Sequence, residues 1–236
     1  SSSSSKNTRP SMLNRTQHEL VLKRILFDFY SDAELCSQLG LKGGTCLYLF
    51  HGLDRFSTDL DFNIIGEQFT APRVTEILKK HLTLVDMSEK RKTFFWLGSF
   101  EKGVQKIKVE IGRRDYPDRY ETQDLFGLTV KTMTLACMFA HKLCAVTDRK
   151  QMVSRDVYDA WFLFKKDCPI DEKIVTLRTG KTLKEYFGVL AGFVDKHISA
   201  QGILQGLGDV LDEKQKVWVK QNLVKALMLE LKTRAG

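Results

Sequence analysis

Two aspartates stand one residue apart in the segment "STDLDFNI", where the neighbouring pattern calls for a strand with one buried side. In an extended chain successive side chains alternate faces, so Asp59 and Asp61 point one way and Leu60, Phe62 and Ile64 the other. Carboxylates about 6 to 7 Å apart at their Cα atoms repel each other unless a proton or cation lies between them. Hard oxygen donors of this kind suit magnesium, whereas the bland alternative is that both acids face water on an edge strand. A second strand pattern, "IKVEI", carries Glu110 between Val109 and Ile111. Three carboxylates on two neighbouring strands could hold two metal ions.

Other residues could handle a phosphate. In "LKGGTCLYLF" Gly43 and Gly44 free the backbone just ahead of a short apolar helix, and Thr45 can serve at its cap. The first turn of a helix offers amide donors and the positive end of the helix dipole to an anion, although a plain helix-entry turn would look the same. Lys142 falls between Phe139 and Val146 on an apolar helical stripe, where a solvated lysine is not expected. An inward lysine needs an anion, unless its stem carries the ammonium back to water. Asp156 and Asp159 follow on one helix face; one is expected to bind a ligand or orient Lys142 while the other pairs with Arg155 or Arg149.

The elements that must position these residues are read from hydrophobic period. Residues 17 to 39 predict a helix, followed by a glycine-rich turn and a short apolar helix; Pro72 opens another helix over 72 to 82. Strands are predicted around residue 60, at "TFFWLGSF" and at "VQKIKVEIG". After about residue 125 strand patterning is expected to give way to helices, marked by Leu135, Met138, Phe139, Leu143 and Val146, then by Val157, Trp161 and Phe164, and finally by "KVWVKQNLVKALMLELK". The expected organisation is a tail over 1–12 without order, an α+β domain over 13–125 with a small mixed sheet and flanking helices, and a helical domain over 126–236, the two domains packed closely.

Composition narrows the class. The chain has 236 residues with a net charge of +8, of which residues 1 to 125 carry +2 and residues 126 to 236 carry +6. An excess of that size on the second half suits a polyanion and is also common on solvated helices. No apolar run is long enough for a membrane span. The opening "SSSSSKNTRP" has no hydrophobic leader, so a cytoplasmic location is expected. Five dispersed cysteines without a CxxC argue for reduced, buried thiols and against a zinc site.

Taken in order, Gly-Gly-Thr, Asp-Leu-Asp-Phe and a later strand with a single acid resemble the nucleotidyltransferase superfamily related to DNA polymerase beta. The segment "LKGGTCLYLFHGLDRFSTDLDFNI", including Arg55 and Ser57, more closely resembles the first motif of the AbiEii type of toxin nucleotidyltransferase. "KVE" at Lys108 to Glu110 is similar to that family's second motif, and "HKLCAVTDRKQMVSRDVYDAWFL" resembles its Lys-Leu-x-Ala segment followed by Arg-Asp-x-Tyr-Asp. The match spans roughly residues 38 to 165 and departs in having Thr45 where serine often stands.

The resemblance implies a nucleotidyltransferase fold and transfer of a nucleotide from a nucleoside triphosphate to an RNA, with the tRNA 3′ end as acceptor and arrest of translation as the result. It makes Asp59, Asp61 and Glu110 magnesium ligands, Gly43, Gly44, Thr45, Arg55, Ser57 and Lys142 nucleotide-binding residues, and Lys142 and Asp156 the counterparts of the motif lysine and aspartate. It also implies toxicity and a cognate antitoxin. Arg149, Lys150, Lys165 and Lys166 are the expected RNA contacts. Two other classes compete: a phosphotransferase that uses the same site to move the γ-phosphate to a protein or small molecule, and a binding module that keeps the fold without the chemistry.

Overall fold

Leu60 and Phe62 are fully buried, whereas Asp61 between them is only half-buried, and this alternation anchors the centre of the molecule. In a computed structural model describing residues 14–100, 105–113, 116–148, 153–198 and 202–236, they lie on strand β2 (Leu60–Ile64). The expected tail over 1–12, together with Arg149 and Lys150, lies outside the described residues.

The chain opens with helix α1 (Arg15–Ser31), whose N-cap Asn14 accepts from the Gln17 amide and whose Leu22, Ile25, Leu26 and Phe29 are buried at helical spacing. Strand β1 (Leu39–Lys42) feeds directly into helix α2 (Gly43–His51). β2 follows, then helix α3 (Ala71–His81) with its proline in the first turn, and strands β3 (Thr83–Lys90), β4 (Thr93–Phe100) and β5 (Gln105–Gly112). Strands β6 (Tyr120–Leu125) and β7 (Leu128–Met133) complete a seven-stranded mixed sheet in the order β3-β4-β5-β2-β1-β7-β6. β2 runs parallel to β5 with Asp61 opposite Glu110, and antiparallel to β1 with Asp61 opposite Lys42. α1 covers the apolar face, where Phe29 meets Phe62 at 5.6 Å between ring centres.

The sheet is larger than the sequence pattern predicts. β1 is a four-residue strand hidden in the approach to the glycine turn, and β3 is exposed along most of its length, so neither shows a clean apolar period. β7 runs past residue 125, where strand patterning was expected to end. It pairs in a hairpin with β6 and in parallel with β1, so the sheet extends to Met133. The hairpin turns on Phe126 and Gly127, both at positive φ (54° and 84°), the pair of conformations that matches the twist of a two-residue loop.

Beyond the sheet come helices α4 (Leu135–Asp148), α5 (Ser154–Lys165), α6 (Glu172–Thr179) and α7 (Leu183–His197), then a 3₁₀ turn over Gly208–Val210. A closing helical run comprises α8 (Glu213–Trp218), a π turn (Val219–Leu223) and α9 (Val224–Ala235). α5 is buried on nearly every side: Phe164 meets Phe139 of α4, and Trp161 meets Trp218 of the closing run at 4.3 Å. The two halves are stitched together at the loop after α2, where the Phe56 amide donates to the Val210 carbonyl; within the first half, His18 Nε2 bonds the Thr58 carbonyl of the same loop. All five cysteines are free, and Cys46, Cys137 and Cys144 are fully buried, as small apolar side chains would be. Among the described residues no helix is long and apolar enough to cross a membrane.

Candidate active site

A cavity of about 210 Å³ opens on the face of the sheet that carries the acids. Its floor is the junction of β2, β1 and β5, which presents Asp61, Glu110, Lys42 and Gly43; α4 and the start of α5 close it with Lys142 and Asp156. The parallel pairing of β2 with β5 places Asp61 directly opposite Glu110, so two of the three predicted carboxylates meet across neighbouring strands. Asp59 sits immediately before β2.

Lys108 lies among these acids, a residue the sequence marked only as part of a motif. Its ammonium is 3.6 Å from Asp59 Oδ2 and 3.7 Å from Glu110 Oε2. Burial opposes the lysine charge, but Asp61, Asp59 and Glu110 together hold it above the ordinary lysine value. Burial pushes the Asp61 carboxyl up, with Asp59 and Glu110 adding to the effect against Lys108 and Lys42. No three acidic, histidine or cysteine side chains among the described residues are gathered closely enough to grip a metal ion as they stand. The donor set nevertheless fits a hard divalent cation: it is all carboxylate, it straddles two paired strands, and a protein cation already stands within 4 Å of two of its members.

The glycine turn is shaped by close approach. Gly43 adopts φ +78°, and a Cβ there would stand 2.7 Å from Asp61 Oδ2. One at Gly44 would stand 2.8 Å from Ser57 Oγ and 2.9 Å from Arg55 Nη2. The first turn of α2 has no side-chain cap, so its amides remain oriented for an anion beside the carboxylates.

Thr45, Ser57 and Arg55 face into the protein. The Thr45 hydroxyl is buried, lies 2.9 Å from Ser57 Oγ, and donates a short hydrogen bond to the Asp59 carbonyl. Arg55 is 2% exposed; Nε and Nη2 donate to the two oxygens of Asp159 at 2.6 and 2.7 Å, and Nη1 donates to the Phe56 carbonyl. Nucleotide binding is expected of all three; the partners their side chains take in the structure lie within the chain. They brace the loop that carries Asp59 and the turn that carries Gly43.

Lys142 does point inward, but the anion it meets belongs to the chain. Its Nζ lies 3.0 Å from Asp156 Oδ1 and 2.8 Å from Asp159 Oδ2. Burial opposes its charge, and Asp159 followed by Asp156 more than offsets that, keeping the ammonium above the ordinary lysine value. The expected partner of the second aspartate is corrected: Asp159 takes Arg55 together with Lys142, while Arg155 turns toward Asp59 at 4.0 Å. Asp156 lines the cavity and Asp159 lies beneath it, because three residues on a helix carry one carboxylate a turn deeper toward the Arg55 loop.

Lys165 and Lys166 sit at the far end of α5. Lys166 donates to the His51 carbonyl at the C-terminus of α2, whereas the N-terminus of α2 is at the cavity. They are thus roughly a helix length, about 12 to 14 Å, from the acids. The far wall of the cavity holds residues that sequence reasoning missed. His141 Nε2 is 2.6 Å from Asp118 Oδ1, its Nδ1 is 2.7 Å from Arg178 Nη1, and the Tyr116 ring lies against it at 5.2 Å. Only the position of His141 next to Lys142 hinted at this, since Asp118 and Arg178 come from distant parts of the chain.

A model of the nucleotidyl transferase AbiEii toxin family, of type IV toxin-antitoxin systems, matches residues 24–189. The chain belongs to the AbiEii family. This match reaches further at both ends than the motifs themselves, and it takes in α6 and part of α7. As an AbiEii nucleotidyltransferase the chain is an enzyme with a nucleoside triphosphate substrate. Solved structures share the fold. JHP933 from Helicobacter pylori is 22% identical over 95% of this chain and 94% of its own, with a TM-score of 0.59. A second H. pylori structure is 21% identical over 95% and 96%, with a TM-score of 0.61. An antigenic nucleotidyltransferase-like protein from Paracoccidioides brasiliensis is 16% identical over 80% and 96%, with a TM-score of 0.51. A search of the curated proteins found no match.

Proposed function

We propose that this AbiEii member transfers a nucleotide from a nucleoside triphosphate to an RNA acceptor, the 3′ end of tRNA, in a magnesium-dependent reaction that stops translation in the cytoplasm and is countered by a cognate antitoxin. The observation that carries this reading is the facing of Asp61 and Glu110 across β2 and β5 in one cavity with Lys142 and the open turn of α2.

In that reaction an acceptor hydroxyl oxygen attacks the α-phosphorus, the bond to the bridging oxygen breaks, and pyrophosphate leaves. Asp59, Asp61 and Glu110 would hold magnesium, which supplies Lewis-acid stabilisation of the charge that develops on the phosphoryl oxygens. The α2 amides and Lys42 bring positive potential to the phosphate tail from the β1 side. Lys142, fixed between Asp156 and Asp159, brings it from the α4 side without the freedom of a solvated lysine. Closure of the cavity by α4 and α5 keeps these charges in a low-dielectric surrounding, where they act more strongly than in water.

The test is to incubate the protein with magnesium, total tRNA and each α-labelled nucleoside triphosphate in turn, beside an Asp61→Ala control. Label on tRNA from one nucleotide, absent in the control, is the expected result. No label from any of the four would overturn the acceptor, and release of nucleoside diphosphate instead of pyrophosphate would favour γ-phosphate transfer.

A further inference from the structure

Beyond the carboxylates, β2 and β5 contribute one more facing pair to the cavity, and there the chemistry changes. Asn63 follows Asp61 on the same strand face and stands in register with Gly112, which follows Glu110; both line the cavity. Asn63 is 3% exposed, and its Nδ2 donates to Asp118 Oδ2 at 3.0 Å and to the Tyr120 hydroxyl at 2.9 Å. An ionised carboxylate can only accept, so the bond to Asp118 fixes which end of the amide is nitrogen. The other end, Oδ1, is buried and has no hydrogen-bond partner among the described residues. Buried polar atoms in folded proteins are nearly always paired, so an orphan acceptor on a cavity wall points to a ligand donor.

Gly112 leaves the space beside that acceptor free of a side chain. A Cβ there would stand 3.0 Å from Asn63 Oδ1 and 3.6 Å from Lys42 Nζ. Its φ is not positive, so the position does not need glycine for its backbone; what glycine provides is space. Asp118 is itself held by His141 at 2.6 Å, which keeps the amide from rotating.

Two residues along a strand advance about 6 to 7 Å, comparable to the span from the α-phosphorus of a nucleotide to its ribose hydroxyls. We infer that Asn63 Oδ1 accepts a hydrogen bond from a ribose hydroxyl of the bound nucleoside triphosphate, and that the Asn63 and Gly112 pair thereby selects ribonucleotides over deoxynucleotides. The inference rests on the nucleotidyl-transfer reading above. The Tyr116 ring, packed against His141, supplies a flat surface farther along the same wall, where a base would follow the sugar.

The experiment compares the transferred nucleotide with its 2′-deoxy and 3′-deoxy forms, by binding in a thermal-shift titration with magnesium and by kcat/KM. Wild-type protein is expected to favour the ribonucleotide over one deoxy form by at least about tenfold, and that form identifies the hydroxyl. Asn63→Ala should bring the two within about twofold by weakening the ribonucleotide and leaving the deoxy form unchanged, a split that a merely structural role would not produce. Should Asn63→Ala fail to fold, Gly112→Ala fills the same space and should raise the KM of the ribonucleotide more than that of the deoxy form. Equal use of all three forms by the wild type, or a preference that survives both substitutions, overturns the sugar contact alone. Failure of every triphosphate to bind or react would overturn the transfer reading along with it.

Discussion

Arg55 and Asp159, 104 residues apart in the chain, share two hydrogen bonds of 2.6 and 2.7 Å beneath the glycine turn of α2. Arg55 is 2% exposed and Asp159 is fully buried, and Lys142 and Asp156 complete a group of two cations and two anions. Removing one member strands the others in a medium that penalises unpaired charge. Asp159→Ala should therefore destabilise the fold by roughly 3 to 5 kcal/mol, and Asp156→Ala by clearly less, since its carboxylate borders the cavity. Urea unfolding of the two variants checks this, and equal losses would contradict it.

The pH dependence follows from the same pair. Burial works against the Asp159 charge, but Arg55 and Lys142 hold its carboxyl below the ordinary value of 3.8. A folded pKa below the unfolded one means that the stabilisation is fully present above 3.8 and is lost as pH falls through the folded value. The stability gap between wild type and Asp159→Asn should be constant from pH 7 to about 5 and should close in the acid limb below 3.8. Unfolding curves collected at pH 3, 5 and 7 give the comparison.

Asp61 behaves oppositely. Burial with Asp59 and Glu110 pushes its carboxyl up, so its ionised form costs the fold stability. Asp61→Asn should keep or raise the Tm without metal while lowering nucleotide transfer by roughly a hundredfold or more. A variant that loses activity because it unfolds would show itself as a drop in Tm.

Lys108 stands among the acids proposed to hold a metal ion. With its ammonium 3.6 Å from Asp59 and 3.7 Å from Glu110, Lys108→Met should lower the Tm of the metal-free protein and enlarge the rise in Tm on adding magnesium. An unchanged magnesium response would show that the lysine and the ion do not exclude each other.

Gly44→Ala tests the close packing of the turn. The new Cβ would come within 2.8 Å of Ser57 Oγ and 2.9 Å of Arg55 Nη2, neither of which is free to retreat. A loss of about 1 to 3 kcal/mol is expected, together with reduced transfer because the loop that carries Asp59 is displaced. Gly188→Ala, where a Cβ would meet nothing within 4 Å, is the control and should not share the activity loss.

The amino-acid sequence by itself determined the chemistry-bearing strands and the main helices. Alternation around Asp61 and Glu110, and 3.6-residue spacing in α1, α4 and α5, are local patterns set by which side of each element must leave water. It missed β1, β3, β6 and β7: the first is too short to show a period, the second and third are exposed edge strands, and the fourth depends on a parallel partner 91 residues away. Tertiary structure alone decided what the polar residues do. Arg55, Thr45 and Asp159 form a buried brace that no local pattern shows, because charges from α5 and the α2 loop satisfy one another across 104 residues of chain. Lys108 and Asn63 gained their significance the same way, from the registers of β2 and β5 that set one among three acids and the other, short of one hydrogen bond, against an open glycine.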